Sequence, residues 1–325
     1  MTAMTIGRIP FLMARILRRR IALLMKTIFR FFAALSLAAA ALPAAAMHNV
    51  LACEPEWGAL AEELGGDKVS VYSATTGLQD PHRIEARPSL IARARNADLL
   101  ICSGADLEVG WLPLLLTQSG NDRIQPGSPG YVEASQYVVK LDIPKVIDRS
   151  LGDIHASGNP HIHLDPRNIA KVAEVLTGRL VEIDHANADA YTKRAESFRG
   201  RWQSAIERWE KEGAPLKGVP VVVHHKDLTY FMNWMGMRDV GSLEPKPGVP
   251  PTATHLAQLT EKMKRDPAKV IVYWPYNSPR AAQFLSERTN IPTVMLPYTV
   301  GGTEKAKDLF GLFDDTIERL LTTIK

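Results

Sequence analysis

Three histidine-bearing motifs stand far apart on this 325-residue chain. They are Asp80-Pro81-His82, the run Asn159 to Pro166 with His161 and His163, and His224-His225 followed by Tyr230. Only a folded core can bring them together. Neutral imidazoles gathered at one place suit a borderline transition metal such as zinc. A short zinc finger carries ligand pairs a few residues apart, a spacing that this chain lacks. The pattern points to ligands on separate loops of a large scaffold.

Each histidine has a plainer alternative. His82 follows a proline in the loop after a strand, at the end where open α/β sheets place their ligands. Alone it would read as a surface histidine; its company raises the functional reading. His161 and His163 flank Ile162, so a regular strand would point both to one face, and a turn after Pro160 would separate them. Asp165 can either fix a ligand's tautomer or cap the helix that begins at Pro166. His224 and His225 end one strand, and backbone alternation turns only one of them inward. A helix follows, and its dipole favours the neutral imidazole that a metal needs. His48, His155, His185 and His255 lack such context and read as surface or terminal residues, with His155 kept in reserve for its Gly/Ser-flanked loop near His161.

The elements that must position these motifs alternate in type. Strand-like runs at 49–53, 68–73, 97–103 and 137–141 are interleaved with helices at 55–64 and 88–96. After a long helical stretch, strands at 219–223, 238–243, 269–273 and 293–296 alternate with helices at 227–235, 252–265, 279–288 and 304–323. This rhythm predicts an α/β protein, with mainly parallel sheets covered on both faces. The middle stretch carries helical periodicity over 166–183 and again over 187–212. The second run would span roughly 40 Å, about a domain's width. It reads as an amphipathic packing helix or as a strut between two lobes. The expected division is a leader at 1–46, an N-terminal lobe at 47–186, a connecting helix at 187–213 and a C-terminal lobe at 214–325.

The leader has seven basic residues and no acid, then an alanine-rich apolar run that closes on Ala44-Ala45-Ala46. This is the layout of a secretory signal peptide cleaved near Met47, and Met25 could be its true start. The apolar run is shorter than the ~20 residues that a membrane span needs. Taking those seven from the 39 basic residues leaves 32 against 35 acidic ones, a formal charge near −3. The high pI therefore belongs to the leader, and the remainder has no basic cluster for nucleic acid. The two cysteines, Cys53 and Cys102, each end a strand-like run. Adjacent parallel strands would bring them within disulfide reach in an oxidising compartment; the alternative is two buried thiols. A lipid anchor on Cys53 fits less well, because His48 and Asn49 interrupt the apolar run before it.

Five segments in order resemble the zinc/manganese-specific solute-binding proteins of ABC importers, the ZnuA/TroA-type cluster. They are Leu51 to Val71, Asp80-Pro81-His82, Asn96-Ala97-Asp98-Leu99 with Gly104, Leu107-Glu108 and Trp111, Asn159 to Pro166, and His225 with Tyr230. The resemblance implies two α/β lobes joined by a rigid helix, with the metal held between them by His82, His161 and His225. His163 falls where the family usually has Trp, and His224 lies one place before the family's ligand. The family's fourth ligand is commonly an Asp after the last strand, where this chain reads Leu296-Pro297-Tyr298-Thr299. Water, Glu244, Glu304, His163 and His224 are the substitutes to weigh. Of the family's His-rich loop, only His155 gives a hint.

The resemblance implies a monomeric periplasmic carrier that delivers its metal to a membrane permease. Three nitrogens favour Zn²⁺ over Mn²⁺, which prefers more oxygen. Binding should weaken as pH falls through about 6.5, where imidazoles protonate. An adhesin or metal chaperone on the same fold is a second reading, and a zinc hydrolase a third, since three histidines plus water also form a hydrolytic zinc site. The hydrolase reading lacks an evident general base and an HExxH motif.

Overall fold

The computed structural model describes residues 24–25, 47–146, 148, 152 and 155–325. The leader reading of 1–46 therefore lies outside the described residues, apart from Leu24 and Met25. Residues 47–325 form one compact unit. No helix among the described residues is long and apolar enough to cross a membrane.

That unit contains two four-stranded sheets, parallel throughout. The first has β1 (His48–Ala52), β2 (Val69–Ser73), β3 (Leu99–Cys102) and β4 (Tyr131–Glu133) in the order β2-β1-β3-β4. The second has β5 (Pro220–Val223), β6 (Arg238–Ser242), β7 (Val270–Tyr273) and β8 (Thr293–Met295) in the order β6-β5-β7-β8. In each sheet the order reverses beside the first strand, which opens a crevice at the carboxyl ends of the strands.

Local chemistry sets the connections. Helix α1 (Pro55–Gly65) starts on a proline, whose missing N–H would have had no partner in the first turn, and stops at Gly66 with φ 56°. Helices α2 (Pro88–Asn96) and α3 (Leu112–Ser119) complete the first sheet's cover. Helix α4 (Pro166–Ile183) is capped by Asp165, whose carboxylate accepts the Arg167 N–H at 2.9 Å and pairs with its guanidinium. Capping is thus the role that the structure gives Asp165.

Helix α5 (Ala188–Glu212) is the long one, at 25 residues. Its buried face carries Tyr191, Phe198, Trp202, Ala205, Ile206 and Trp209. These join a central core that takes Val50 and Ile101 from the first sheet and Val221 and Val272 from the second. The Trp209 ring lies 4.9 Å from that of Phe313 on the last helix (Leu309–Thr323), and the Trp202 indole donates to the Pro166 carbonyl at 2.8 Å. Such side chains stabilise the fold by about 1.5–3 kcal/mol each when fully buried. Separate apolar clusters line the outer faces, around Leu100 and Leu115 on the first sheet and Ile271 and Leu285 on the second.

Two elements depart from the sequence reading. The strand expected at 137–141 is absent: Ala134–Tyr137 is a 3₁₀ turn, and Val139 is exposed. The place beside β3 is taken by β4, whose three residues are too few to show alternation. The last helix begins at Leu309 rather than at 304, because the Asp308 carboxylate caps it by accepting from Gly311 N. Cys53 and Cys102 are joined in a disulfide across the paired strands β1 and β3, their Cα atoms 4.8 Å apart.

Candidate metal centre

His82, His161 and His225 come together with one ring nitrogen of each within 4.8 Å of the others. Their ring centroids form a near-equilateral triangle with sides of 5.4, 5.6 and 5.7 Å. His82 sits in a one-turn 3₁₀ helix (Pro81–Arg83) in the loop after β2, at the first sheet's carboxyl edge. His225 follows β5 at the crevice of the second sheet. His161 precedes another 3₁₀ turn, Ile162–Leu164, which leads into α4.

Every one of the three has its Nδ1 held by oxygen. Asp80 Oδ1 stands 2.7 Å from His82 Nδ1, Glu244 Oε2 2.7 Å from His225 Nδ1, and the Tyr298 hydroxyl 2.7 Å from His161 Nδ1. A carboxylate can only accept, so Asp80 and Glu244 fix the proton on Nδ1 and leave the Nε2 lone pair available. Nε2 of His161 is buried without a hydrogen-bond partner among the described residues. A buried nitrogen without a partner is costly, and a cation would satisfy it.

The histidine loops also brace one another. Asn159 Oδ1 accepts from His161 N at 3.0 Å, while its amide donates to the Lys226 carbonyl at 2.7 Å. The Tyr230 hydroxyl donates to Asn159 O at 2.8 Å and accepts from Leu141 N at 3.0 Å. These bonds tie the His161 segment to the His225 loop. Tyr230, five residues after His225, is therefore a clamp on that segment.

The family model for the periplasmic zinc-uptake complex component A matches residues 50–323. The chain belongs to that family. A zinc-uptake protein ZnuA of Brucella abortus is 28% identical over 165 residues, 51% of this chain and 48% of that one. The manganese ABC transporter substrate-binding lipoprotein ScaA of Streptococcus gordonii is 23% identical over 266 residues, 80% of this chain and 82% of that one. A crystal structure of ZnuA matches with a TM-score of 0.72 at 19% identity, covering 86% of this chain and all of that one. The two-lobed architecture is thus that of the zinc-uptake component A proteins.

Within this fold, the remaining histidines divide clearly. His163 is fully buried; its Nε2 donates to the Tyr298 carbonyl at 2.9 Å, and its Nδ1 lies 3.0 Å from Glu56 Oε1. Its two nitrogens face Glu56 and Tyr298 instead of the triad. His224 stands outside the triad, its Nδ1 buried and unpaired among the described residues. Glu304 is exposed, and Glu244 supports a histidine instead of facing the centre directly. His48 lies between Asp98 and Asp184, His185 is exposed, and His255 Nε2 contacts the Ser242 carbonyl at 2.8 Å.

His155 corrects the sequence reading. It is no remote surface residue: its Nε2 lies 3.3 Å from His82 Nε2, and its ring centroid 6.1 Å from that of His161. Gly and Ser neighbours gave it no pattern of its own, and only tertiary placement brings it in. Tyr298 was missed as a partner of His161. The signal lay in the loop after the last strand, where an acid was expected and a phenol stands.

The electrostatics favour neutral imidazoles at His161 and His155 and act the other way at His225. Burial first, then the charges of His82, His225, His155 and His163, holds the His161 pKa well below its ordinary value. Burial, with His82 and His225, pushes His155 down to about 3. For His225 burial also acts downward, but the Glu244 hydrogen bond and the Asp227, Glu244 and Asp80 charges together outweigh it and raise the pKa. Burial drives the Tyr298 phenol well above its usual range, so it stays protonated.

Proposed function

We propose that this chain is the periplasmic component of an ABC importer, capturing Zn²⁺ at His82, His161 and His225 and passing it to a membrane permease. The lobes would be 47–186 and 214–325, joined by the helix at 187–213, with the leader cleaved near Met47. The supporting observation is the triad itself: three imidazoles converge, each with Nδ1 engaged by oxygen and Nε2 left for a cation. An all-nitrogen set suits zinc better than manganese. Family membership supports metal carriage and supplies no reaction. The hydrolase reading loses ground because Asp80 and Glu244, the carboxylates nearest the triad, are each committed to a histidine.

The test is to strip the protein with a chelator and titrate Zn²⁺ against Mn²⁺, beside His82→Ala, His161→Ala and His225→Ala. Each variant should lose zinc affinity, and zinc should outcompete manganese. Unchanged affinity in all three would remove the site. Manganese preference would keep the carrier and change its cargo. Because the His225 pKa is raised, zinc must displace a proton there first, so on acidification affinity should begin to fall while the pH is still above about 6.5.

A further inference from the structure

We propose that His155 is the fourth protein ligand, closing a four-histidine zinc site from the loop that precedes His161; this rests on the three-histidine reading above. The carrying observation is the 3.3 Å between the Nε2 atoms of His155 and His82. Two nitrogens bound at about 2.0–2.1 Å to one tetrahedral zinc stand roughly 3.3 Å apart. The two imidazoles therefore already hold the separation that a shared ion imposes. Without a cation, the contact would set two lone pairs against each other unless the His155 proton sat on Nε2, because Asp80 fixes the His82 proton on Nδ1.

The surroundings of His155 are built to hold it there. Ala105 and Asp106, whose backbone lies beside its ring, both adopt left-handed conformations, with φ of 49° and 67°. Non-glycine residues in that region carry strain that the surrounding structure must hold in place. The Asp106 carboxylate accepts from Ser157 N at 3.4 Å, and Gly158 N donates back to the His155 carbonyl at 3.1 Å. The turn at 104–106 thus serves as a shelf for the 155–158 segment. A carboxylate stands behind two of the triad's rings, Asp80 behind His82 and Glu244 behind His225. An aspartate after the last strand is then unnecessary, and Tyr298 is free to hold His161.

The experiment uses zinc and cobalt(II) on the purified protein, with His155→Ala and His155→Gln beside His161→Ala. Both His155 variants should lose roughly tenfold or more in zinc affinity. Their cobalt forms should lose the intense visible bands of a tetrahedral ion, and added imidazole should restore those bands in His155→Ala. X-ray absorption on the wild-type zinc form should show four imidazoles. If His161→Ala loses zinc while the His155 variants keep both affinity and cobalt spectrum, the fourth-ligand assignment falls and the triad survives. Lower affinity with an unchanged cobalt spectrum would also overturn it, placing His155 outside the coordination sphere. If no variant loses zinc, the triad falls with it.

Discussion

The two sheets share a strand order but use their crevices differently. Directly after β1, at the first crevice, stand Cys53 and Glu54; directly after β5, at the second, stand His224 and His225. The first crevice is sealed. Cys53 is bonded to Cys102, and Glu54 is buried beside Glu108, with the Ser103 hydroxyl donating to Glu54 at 3.1 Å. The second crevice presents His225 to the triad. The first sheet delivers its histidine from the next loop instead, after β2. Repeated topology therefore provided two similar openings, and side-chain chemistry decided which one faces the histidine triad.

The support of the two histidines differs in the same way. Asp80 holds His82 from two residues away within one turn, whereas Glu244 holds His225 from across β6, with a sequence separation of 19. Glu244 also accepts from Gly248 N at 2.9 Å, so it organises a second loop as well. One support is local and the other depends on the sheet.

The comparison can be broken first at its seal. Replacing both cysteines by alanine should lower the unfolding free energy by about 4 kcal/mol, given a bridge between residues 49 apart. Denaturant titration checks it: a reductant should then destabilise the wild type and leave the double variant unaffected. Next come the supports. Asp80→Ala and Glu244→Ala should each weaken zinc binding by about 10- to 100-fold, with the larger loss at Glu244. Equal losses would show that the Gly248 loop is irrelevant to the site. Tyr298→Phe removes the hydroxyl on His161 and should cost about tenfold in affinity, close to one hydrogen bond, with melting little changed.

The smallest effect concerns the buried acids. Burial lifts Glu108 to about 7 and Glu54 well above its ordinary value, the latter also through the charge of Glu108. The folded form therefore holds protons that the unfolded form releases near 4.5. Their stabilising contribution is full below about 4.5 and is lost as pH rises through about 7. Glu108→Gln stays neutral, so it should match the wild type at acid pH and exceed it at pH 8 by on the order of 1 kcal/mol. A constant difference at every pH would show that the acids are not the cause.

Much of this was legible in the chain, for identifiable reasons. The β/α rhythm, the 25-residue helix and the reach of Cys53 to Cys102 follow from periodicity and from strands long enough to display it. Strand β4 was misplaced to 137–141 because three residues carry no period, while the exposed Val139 imitates one. Asp165 was ambiguous because capping and metal support ask for the same carboxylate.

The sequence by itself determined the fold class and the histidine motifs, since both are written in local patterns: alternation, helical spacing, and residues adjacent to strand ends. Tertiary structure alone decided which nitrogens meet. The 3.3 Å approach of His155 to His82, the Tyr298 hydroxyl on His161 and the burial of His163 against Glu56 join residues that share no local pattern. Their positions depend on how two sheets and several loops close around one core, and no window of sequence records that closure.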